Sequence, residues 1–494
     1  MVFIAGYFFF AIKFNEYYTP DATLYISIAE HIIHGEFHDA VNAYWSPLIS
    51  WLLVPFILVL KDGIIAFKVI NFLLGFFIIT RVSKILDHYG IHALTRNAIL
   101  ISCCLLAGLY SVIYLTADVL LAALLFQYYY LLLKDKLFGN PFLYGITGTA
   151  IYLCKAYGLY FFLAHSIVYF FISGSGSKKL PGLLKGLAVF FILCSSWIGI
   201  LSVKYGHFTI STAGRYNQSI ITEYHATLHP ADTMRLMPPF PGEKYSAWEE
   251  MSLHVHLPSS GNKNAFSYQH IKFNLVQLAY LLLKVPRYFI LLMPLLLLVL
   301  FTRKEKISGL LLPASLAGIY TSGYLAFFIE ERYLIAVLLI ILVLQALLID
   351  KAASSVKLLP HFAMLLLLAG TIRYLFSVST TLSTADETIC NSIHRQTKKF
   401  YYNKRYVTWR PFEFYILGYM NQWKNYSGIK NYAADSTALA EDLTRYKIDF
   451  IIIPDSVHLP LNVQRQYNKM ELNNIGSYQL WGSNQLIPAK TMAQ

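Results

Sequence analysis

The sequence predicts a polytopic α-helical membrane protein with about eleven spans, additional interfacial helices and a small carboxyl-terminal α/β domain. Of its 494 residues, 56% are hydrophobic and only 14% are charged, and a soluble protein of this size would expose much of that apolar surface. Apolar runs of about 17 to 22 residues recur between charged residues, as expected for helices that cross a bilayer. From about residue 378 the composition becomes more polar and aromatic.

Short clusters of lysine and arginine set the predicted orientation, because such residues concentrate in cytoplasmic loops. Placing all of these clusters inside gives one consistent alternation, with the amino terminus inside and the carboxyl terminus outside. The same bias explains the net charge of +13 without a nucleic-acid partner. The predicted spans are about 1–14, 64–81, 97–114, 119–133, 141–154, 157–173, 183–203, 276–301, 307–326, 333–349 and 358–377. The first segment, MVFIAGYFFFAI, lacks a basic region and a cleavage site, which predicts a retained anchor.

One apolar run does not fit as a span. The stretch SPLISWLLVPFILVLKDG is short and contains Pro47 and Pro55, and counting it as a span would invert the orientation of the next basic cluster. We therefore predict an interfacial helix on the outer face. The membrane domain, residues 1–377, then carries two large external loops, at about 15–63 and 204–275.

The tail, residues 378–494, is predicted to be a separate soluble domain outside the cytoplasm. Within it, STALAEDLTRYKIDFIIIPDS has the pattern of a capped helix followed by a buried strand. This pattern favours a small α/β domain.

An acidic residue opens the first external loop. In YYTPDATLYISIAEHIIHG, Thr19 is a plausible N-cap, Pro20 favours the first helical turn, and Asp21 follows it. The helix dipole favours an ionised carboxylate at that end. Asp21 therefore either improves the start of the helix or provides a reactive carboxylate at the membrane surface.

A second carboxylate is predicted at the same face. Asp118, in YLTADVLLAALL, lies at the outer end of a predicted span, with Thr116 as a possible cap. Two carboxylates at one face could serve as a general base and its orienting partner. Helix capping alone is the alternative for each, since aspartate at a membrane boundary costs far less than at the bilayer centre.

Several cations are also predicted at the outer face, against the positive-inside bias. Binding an anionic phosphate would explain them, and snorkelling of their side chains to the interface is the alternative. They are Lys155, Arg215, Arg287 and Arg332.

Four segments resemble the GT-C glycosyltransferases, with protein O-mannosyltransferases and lipid A aminoarabinose transferases as the most similar branch. The outer-face Asp21 followed by YWSPLISWLL resembles the first external loop of that family, and IYLTADVLLAALLFQYYYLLL resembles the second with its aspartate. ITGTAIYLCKAYGLYFF resembles a glycine-rich span that ends in lysine, and EERYLIAVLLIILVL resembles the start of a late span. The four segments occur in the family's order over about residues 1–350.

The resemblance implies a polyprenyl-phosphate sugar donor, inverting transfer outside the cytoplasm, and a bacterial inner membrane as the location. Asp21 would be the general base, with Asp118 in the same pocket. The residues that would line the donor phosphate site are Tyr44, Lys155, Arg332 and Tyr333. The aminoarabinose transferases carry Glu-Lys and a double proline where this chain has YWSPL. The lysine that contacts the donor phosphate there is absent, so the resemblance does not establish lipid A as the acceptor.

The acceptor class stays open among a lipid, a glycan and a protein. A polyprenyl phosphate whose charge is neutralised by cations is a good leaving group, so no metal cofactor is predicted, although a divalent ion remains an alternative. A transporter is the first competing function, but it would place charges within spans and show paired repeats. A polysaccharide polymerase or ligase is the second, and it would need paired arginines in the large loop, where Arg215 stands alone.

Overall fold

The computed structural model describes residues 1–134, 139–173, 176–221, 235–251, 266–285, 308–353, 358–382, 384–410, 414–432 and 435–486. The first third of the chain forms helices at Val2–Lys13, Pro20–Ile33, Phe37–Ala40, Leu48–Leu60, Gly63–His88, Ala93–Ile113 and Ala117–Leu133. The next helices are Pro141–Cys154, Tyr157–Ile172, Gly176–Tyr205, Ala213–Ser219, Tyr268–Leu283 and Ser308–Ser322. Two 3₁₀ turns, Gly323–Ala326 and Glu331–Leu334, lead into helices Ile335–Ala353 and Leu359–Thr381.

The chain is a multi-pass membrane protein. Among the described residues, five helices are long and apolar enough to cross a bilayer: Gly63–His88, Ala93–Ile113, Leu180–Tyr205, Glu331–Ala352 and Pro360–Thr381. Each of them overlaps a predicted span. Shorter apolar helices occupy the positions of four further predicted spans, namely Val2–Lys13, Ala117–Leu133, Pro141–Cys154 and Tyr157–Ile172. The predicted span 276–301 lies partly outside the described residues, and the total of eleven stays a prediction.

The helix Ala93–Ile113 packs against helices from both ends of the membrane domain. It contacts Val2–Lys13 and Gly63–His88 as well as the late helices Ile335–Ala353 and Leu359–Thr381. Small residues allow this close packing, as is common between membrane helices. A Cβ atom on Gly108 would lie 3.1 Å from the backbone nitrogen of Tyr7, so the two backbones are nearly in contact there.

The first loop contains the two predicted helices, and they pack on each other. Leu48–Leu60 contacts both Pro20–Ile33 and Gly63–His88, and its opposite face is exposed, with Val59 at 77% of its maximal accessible surface. An apolar helix that is buried on one side and exposed on the other suits the interfacial position predicted for it. Pro55 lies inside this helix without ending it.

The tail forms a five-stranded sheet with flanking helices. Its strands are β1 (Arg405–Thr408), β2 (Lys424–Gly428), β3 (Phe450–Pro454), β4 (Tyr467–Met470) and β5 (Tyr478–Ser483). The order is β2-β1-β3-β5-β4, with β1 parallel to β2 and β3, and β5 antiparallel to β3 and β4. Helices Ala385–Thr397, Tyr415–Asn421, Ser436–Arg445 and Leu461–Gln464 accompany it. The pattern read as a capped helix and a buried strand corresponds to Ser436–Arg445, capped by Asp435, and to β3.

Residues 235–251 join the tail to the first loop. The backbone N–H of Asn425 in β2 donates to the Tyr245 carbonyl oxygen at 2.6 Å, while the Tyr245 hydroxyl donates to Glu30 Oε2 at 2.5 Å. A second contact is direct, because the N–H of Gly63 donates to the Tyr419 hydroxyl oxygen at 2.7 Å. The tail therefore rests on the helices that follow Asp21.

Two buried carboxylates organise this joining segment. Glu249 accepts hydrogen bonds from the backbone N–H groups of Lys244 (3.0 Å) and Tyr245 (2.5 Å) and from the Ser27 hydroxyl (2.7 Å). Glu243 is 6% exposed, and burial, with the charge of Glu249 next in importance, raises its pKa to about 9. The folded segment thus binds a proton on Glu243 at neutral pH.

This proton makes the stability of the joining segment depend on pH. Between the ordinary pKa of 4.5 and about 9 the folded state holds the proton and the unfolded state does not, so stability is lost as pH rises. We expect the thermal midpoint of the detergent-solubilised protein to fall from pH 5 to pH 9. Glu243→Gln should raise the pH 9 midpoint by about 2–5 °C and flatten this slope.

The matched control is Glu441→Gln, which removes an exposed carboxylate from the tail. It should leave the slope unchanged. An unaltered pH slope in Glu243→Gln would contradict the role of the Glu243 proton.

Candidate active site

The two predicted aspartates face the same cavity, which has a volume of about 880 Å³. The cavity is lined by the start of the Pro20–Ile33 helix, by the loop around Tyr44, and by residues near the ends of several membrane helices. Predicted site residues that line it are Asp21, Tyr44, Asp118, Lys155, Arg215, Arg332 and Tyr333. Arg287 lies outside the described residues.

Asp21 occupies the first turn of its helix, but its carboxylate does not cap that helix. The Asp21 carboxylate forms an ion pair with Nη1 of Arg332 instead. Thr19 is the N-cap residue, yet its side chain makes no cap hydrogen bond. Its hydroxyl oxygen accepts the backbone N–H of Leu115 at 2.8 Å. This bond ties the start of the Asp21 helix to the chain just before Asp118 and brings the two carboxylates into one cavity.

Arg332 is held on two edges of its guanidinium. Its Nε donates to Glu330 at 2.5 Å, its Nη1 pairs with Asp21, and its Nη2 lies 3.4 Å from the Tyr333 hydroxyl. The next carboxylate, Glu331, points the other way and accepts from Lys284 Nζ at 2.6 Å and from the Tyr374 hydroxyl. Glu331 therefore anchors the turn while Arg332 faces the cavity.

Sequence reasoning missed both glutamates. They stand in the stretch EERY, and that run of two acids before an arginine at the start of a span was the available signal. Glu330 is the extended N-cap residue of the 3₁₀ turn and Glu331 is its first residue, and no local pattern specifies their separate contacts.

The side chain of Asp118 is more deeply buried than that of Asp21. Its side chain is 3% exposed, against 24% for Asp21. One oxygen of Asp118 pairs with Lys155 Nζ at 2.6 Å, and the other accepts the Thr116 hydroxyl at 2.7 Å. With both oxygens engaged, Asp118 is suited to fixing Lys155, whose ammonium group reaches the cavity.

The end of a helix explains the position of Lys155. The helix Pro141–Cys154 stops before it, and Lys155 adopts an extended conformation. The N–H of Gly158 then donates to the Lys155 carbonyl at 2.7 Å, and a Cβ on Gly158 would lie 2.4 Å from the Ile151 carbonyl oxygen. Only glycine fits this turn, which directs Lys155 out of the helix and into the site.

Tyr333 lies between the two cations. Lys155 Nζ is 4.0 Å from the centre of its ring, and Arg332 Cζ is 5.2 Å from it. Tyr324 supports the ring by stacking, with ring centres 5.1 Å apart and planes at 15°. Cations over an aromatic face are attracted by its quadrupole, so Tyr333 keeps two positive groups close together. We call the series Asp21, Arg332, Tyr333, Lys155 and Asp118 the ionic strip.

Tyr44 and Arg215 line another wall of the cavity. The Tyr44 hydroxyl donates to Asn217 Oδ1 at 3.0 Å, and burial raises the pKa of Tyr44 well above its usual range. Tyr44 therefore stays protonated as a hydrogen-bonding group. Arg215 and Asn217 both belong to the short helix Ala213–Ser219. The sequence offered no sign of the role of Asn217 beyond an Asn-x-Ser triplet.

Among the described residues, no group of three or more His, Cys, Asp and Glu side chains is arranged to hold a metal ion. His225, His229, His254 and His256 of the large loop lie outside the described residues.

No protein-family model matches the sequence, and a search of curated proteins gives no match. Solved structures do match the fold. ArnT from Cupriavidus metallidurans, bound to undecaprenyl phosphate, aligns with a TM-score of 0.57 and 11% identity, over 97% of this chain and 97% of that chain.

The oligosaccharyltransferase of Archaeoglobus fulgidus in its apo form aligns with a TM-score of 0.51 and 10% identity, over 95% of this chain and 72% of that chain. The same enzyme in complex with zinc and sulfate gives a TM-score of 0.50 at 10% identity, over 94% and 71%. Both neighbours are GT-C glycosyltransferases. At these identities the likeness concerns the fold, and the chain has the fold of the GT-C superfamily.

Proposed function

We propose that the protein is an inverting glycosyltransferase that moves a sugar from a polyprenyl-phosphate donor to an acceptor outside the cytoplasm. The observation that carries this proposal is the ionic strip, which places one accessible carboxylate beside two adjacent cations in a single cavity. The likeness in fold to ArnT, whose structure contains undecaprenyl phosphate, supports the donor class.

Arg332 and Lys155 are the groups suited to the donor phosphate. They flank the ring of Tyr333 and both are partly buried, with side chains 17% and 20% exposed. Cations fixed in a poorly solvated site stabilise the charge that grows on a departing phosphate more strongly than cations in water. Asp118 serves this step indirectly, by holding Lys155.

Asp21 is the group suited to act as general base. In the proposed reaction the acceptor hydroxyl gives its proton to Asp21, and its oxygen forms a bond to the anomeric carbon of the sugar. The bond from that carbon to the phosphate oxygen breaks, and its electron pair stays on the phosphate. Attack from the side opposite the phosphate inverts the anomeric centre.

The walls of the cavity suit a lipid substrate. Tyr160 and Phe208 line the cavity and are 59% and 75% exposed, so apolar surface continues from the site to the outside of the helix bundle. A polyprenyl chain would lie along such a surface while its phosphate reaches the ionic strip. The acceptor, which we propose to be a lipid, a glycan or a protein, would approach Asp21 from the aqueous side of a bacterial inner membrane.

The position of the charges favours this function over transport. Asp21 and Asp118 occupy first helical turns, Lys155 follows a helix end, and Arg332 lies in the turn that begins a span. A transporter would place its polar site at interrupted helices near the bilayer midplane. Charges gathered at helix ends suit chemistry at a membrane surface.

Replacing the proposed base should abolish transfer. Asp21→Asn should lower turnover of a polyprenyl-phosphate sugar by about 10²- to 10⁴-fold, since general base catalysis contributes that much. Radiolabelled sugar donors and purified protein in reconstituted membranes would give the rates.

Asp62→Asn is the matched control, because Asp62 is also an acid at a helix start but caps its own helix through the Ile65 N–H at 2.9 Å. Its transfer rate should stay within about threefold of wild type, since losing a cap affects stability rather than chemistry. Full activity in Asp21→Asn would refute the base assignment.

A double substitution distinguishes the effect of Lys155 on donor binding from its effect on stability through Asp118. Lys155→Met leaves a buried carboxylate unpaired and should cost about 3 kcal/mol of stability, seen as a lower thermal midpoint. Adding Asp118→Asn removes that unpaired charge and should restore most of the midpoint. The KM for the donor should stay raised by about tenfold or more in both variants, because the phosphate has lost a cation.

A double variant with normal donor KM would show that Lys155 serves only to pair Asp118. The assignment of Lys155 to the donor phosphate would then be wrong.

A further inference from the structure

Two anionic groups require the guanidinium of Arg332: Asp21 and the donor phosphate. In the structure its Nη1 is paired with Asp21, while the proposed function requires the same guanidinium to bind the donor phosphate. While this pair persists, Nη1 occupies the Asp21 oxygen that it contacts, so an acceptor hydroxyl has to compete with the guanidinium for the carboxylate.

The guanidinium has the geometry to change partners without leaving the site. It carries five N–H donors in a rigid plane. Glu330 holds Nε at 2.5 Å, on the edge away from the Asp21 contact, and the nearest described partner of Nη2 is the Tyr333 hydroxyl at 3.4 Å. If Asp21 is released, Glu330 and the ring of Tyr333 still keep the guanidinium in the cavity.

We propose that Arg332 is a latch on Asp21 that the donor phosphate opens. This inference rests on the proposed function: binding of the phosphate draws Nη1 of Arg332 away from Asp21, and the freed carboxylate then accepts the proton of the acceptor hydroxyl. Donor binding is thereby required before the base can act.

The latch also resets the enzyme. After transfer the proton is on Asp21, and Arg332 is paired with the polyprenyl phosphate product. When that product leaves, the Asp21 proton passes to water, and Arg332 returns to Asp21. Each turnover therefore restores the ion pair seen in the structure.

The surroundings explain why one ion pair opens and the other stays closed. Asp118 is 3% exposed and engages Thr116 as well as Lys155, so separating that pair would strand a buried charge. The Asp21 side chain is 24% exposed, so it can be solvated when Arg332 moves. Glu331, bonded to Lys284 at 2.6 Å and to Tyr374, fixes the turn so that only the side chain of Arg332 must move.

The test measures binding of farnesyl phosphate, without acceptor, to the full chain in nanodiscs. If Asp21 competes with the phosphate for Arg332, Asp21→Asn should tighten binding about tenfold, as expected for removal of one close competing charge. Arg332→Gln should weaken binding about tenfold or more. The double variant should bind like Arg332→Gln, since the competition requires the guanidinium.

Asp62→Asn is the matched control, because it removes another carboxylate at a helix start and leaves Arg332 with all its partners in place. Asp62 accepts from the Ile65 N–H and does not contact the guanidinium, so this substitution should change affinity by less than about threefold. Equal tightening in Asp62→Asn and Asp21→Asn would indicate a general field effect and overturn the latch. Tightening by Asp21→Asn that persists without Arg332 would overturn it as well. The Asp62 comparison needs no Arg332 variant to fold.

The same preparations should be assayed for transfer from a polyprenyl-phosphate sugar. If the wild-type protein transfers sugar but Asp21→Asn does not tighten farnesyl phosphate binding, the latch is overturned and the proposed function is intact. A wild-type protein that neither binds farnesyl phosphate nor transfers sugar overturns both.

Discussion

The charges of the ionic strip neutralise one another inside one cavity. An unpaired charge in a poorly solvated cavity costs several kcal/mol, so Arg332 and Lys155 are each stabilised by a carboxylate close by. Arg332 pairs with Asp21, which is 311 residues away in the chain, and Lys155 pairs with Asp118, which is 37 residues away. These pairings join the first loop, two helix ends and a late span into one site.

The parts outside the helix bundle contribute by fixing the helix that carries Asp21. Ser27 in the middle of that helix is bonded to Glu249, and Glu30 near its end is bonded to Tyr245. Both partners belong to residues 235–251, which in turn pair with β2 of the tail. The helix that begins with Asp21 is therefore linked, through its middle and its far end, to residues 235–251 and from there to the sheet.

The sequence was informative wherever a residue contrasted with its apolar surroundings. Asp21, Asp118, Lys155 and Arg332 were predicted because charges at span ends need a reason, and all four line one cavity. The long helices were also predictable, because hydropathy depends on local composition alone. Which carboxylate pairs with which cation was not predictable, because that depends on contacts between elements far apart in the chain.

Other features were not predictable from the local sequence. Nothing in the stretch EERY indicates that Glu330 holds Arg332 while Glu331 anchors the turn. The sheet order β2-β1-β3-β5-β4 follows from pairing of strands only four to six residues long, which carry little register information by themselves.

Charge balance connects the ionic strip to the chemistry proposed for it. A sugar joined to a polyprenyl phosphate carries one negative charge as a diester, and the released phosphate monoester carries up to two. In the same step Asp21 changes from ionised to neutral, because it takes the proton of the acceptor. The total charge inside the cavity is then unchanged by the reaction, and one unit of negative charge moves from Asp21 to the phosphate. In the proposed exchange of partners, Arg332 leaves Asp21 when the donor binds, so it already contacts the phosphate on which that charge arrives. A site that moves charge over a short distance, without creating any, avoids the large desolvation penalty that a net change would carry in such surroundings.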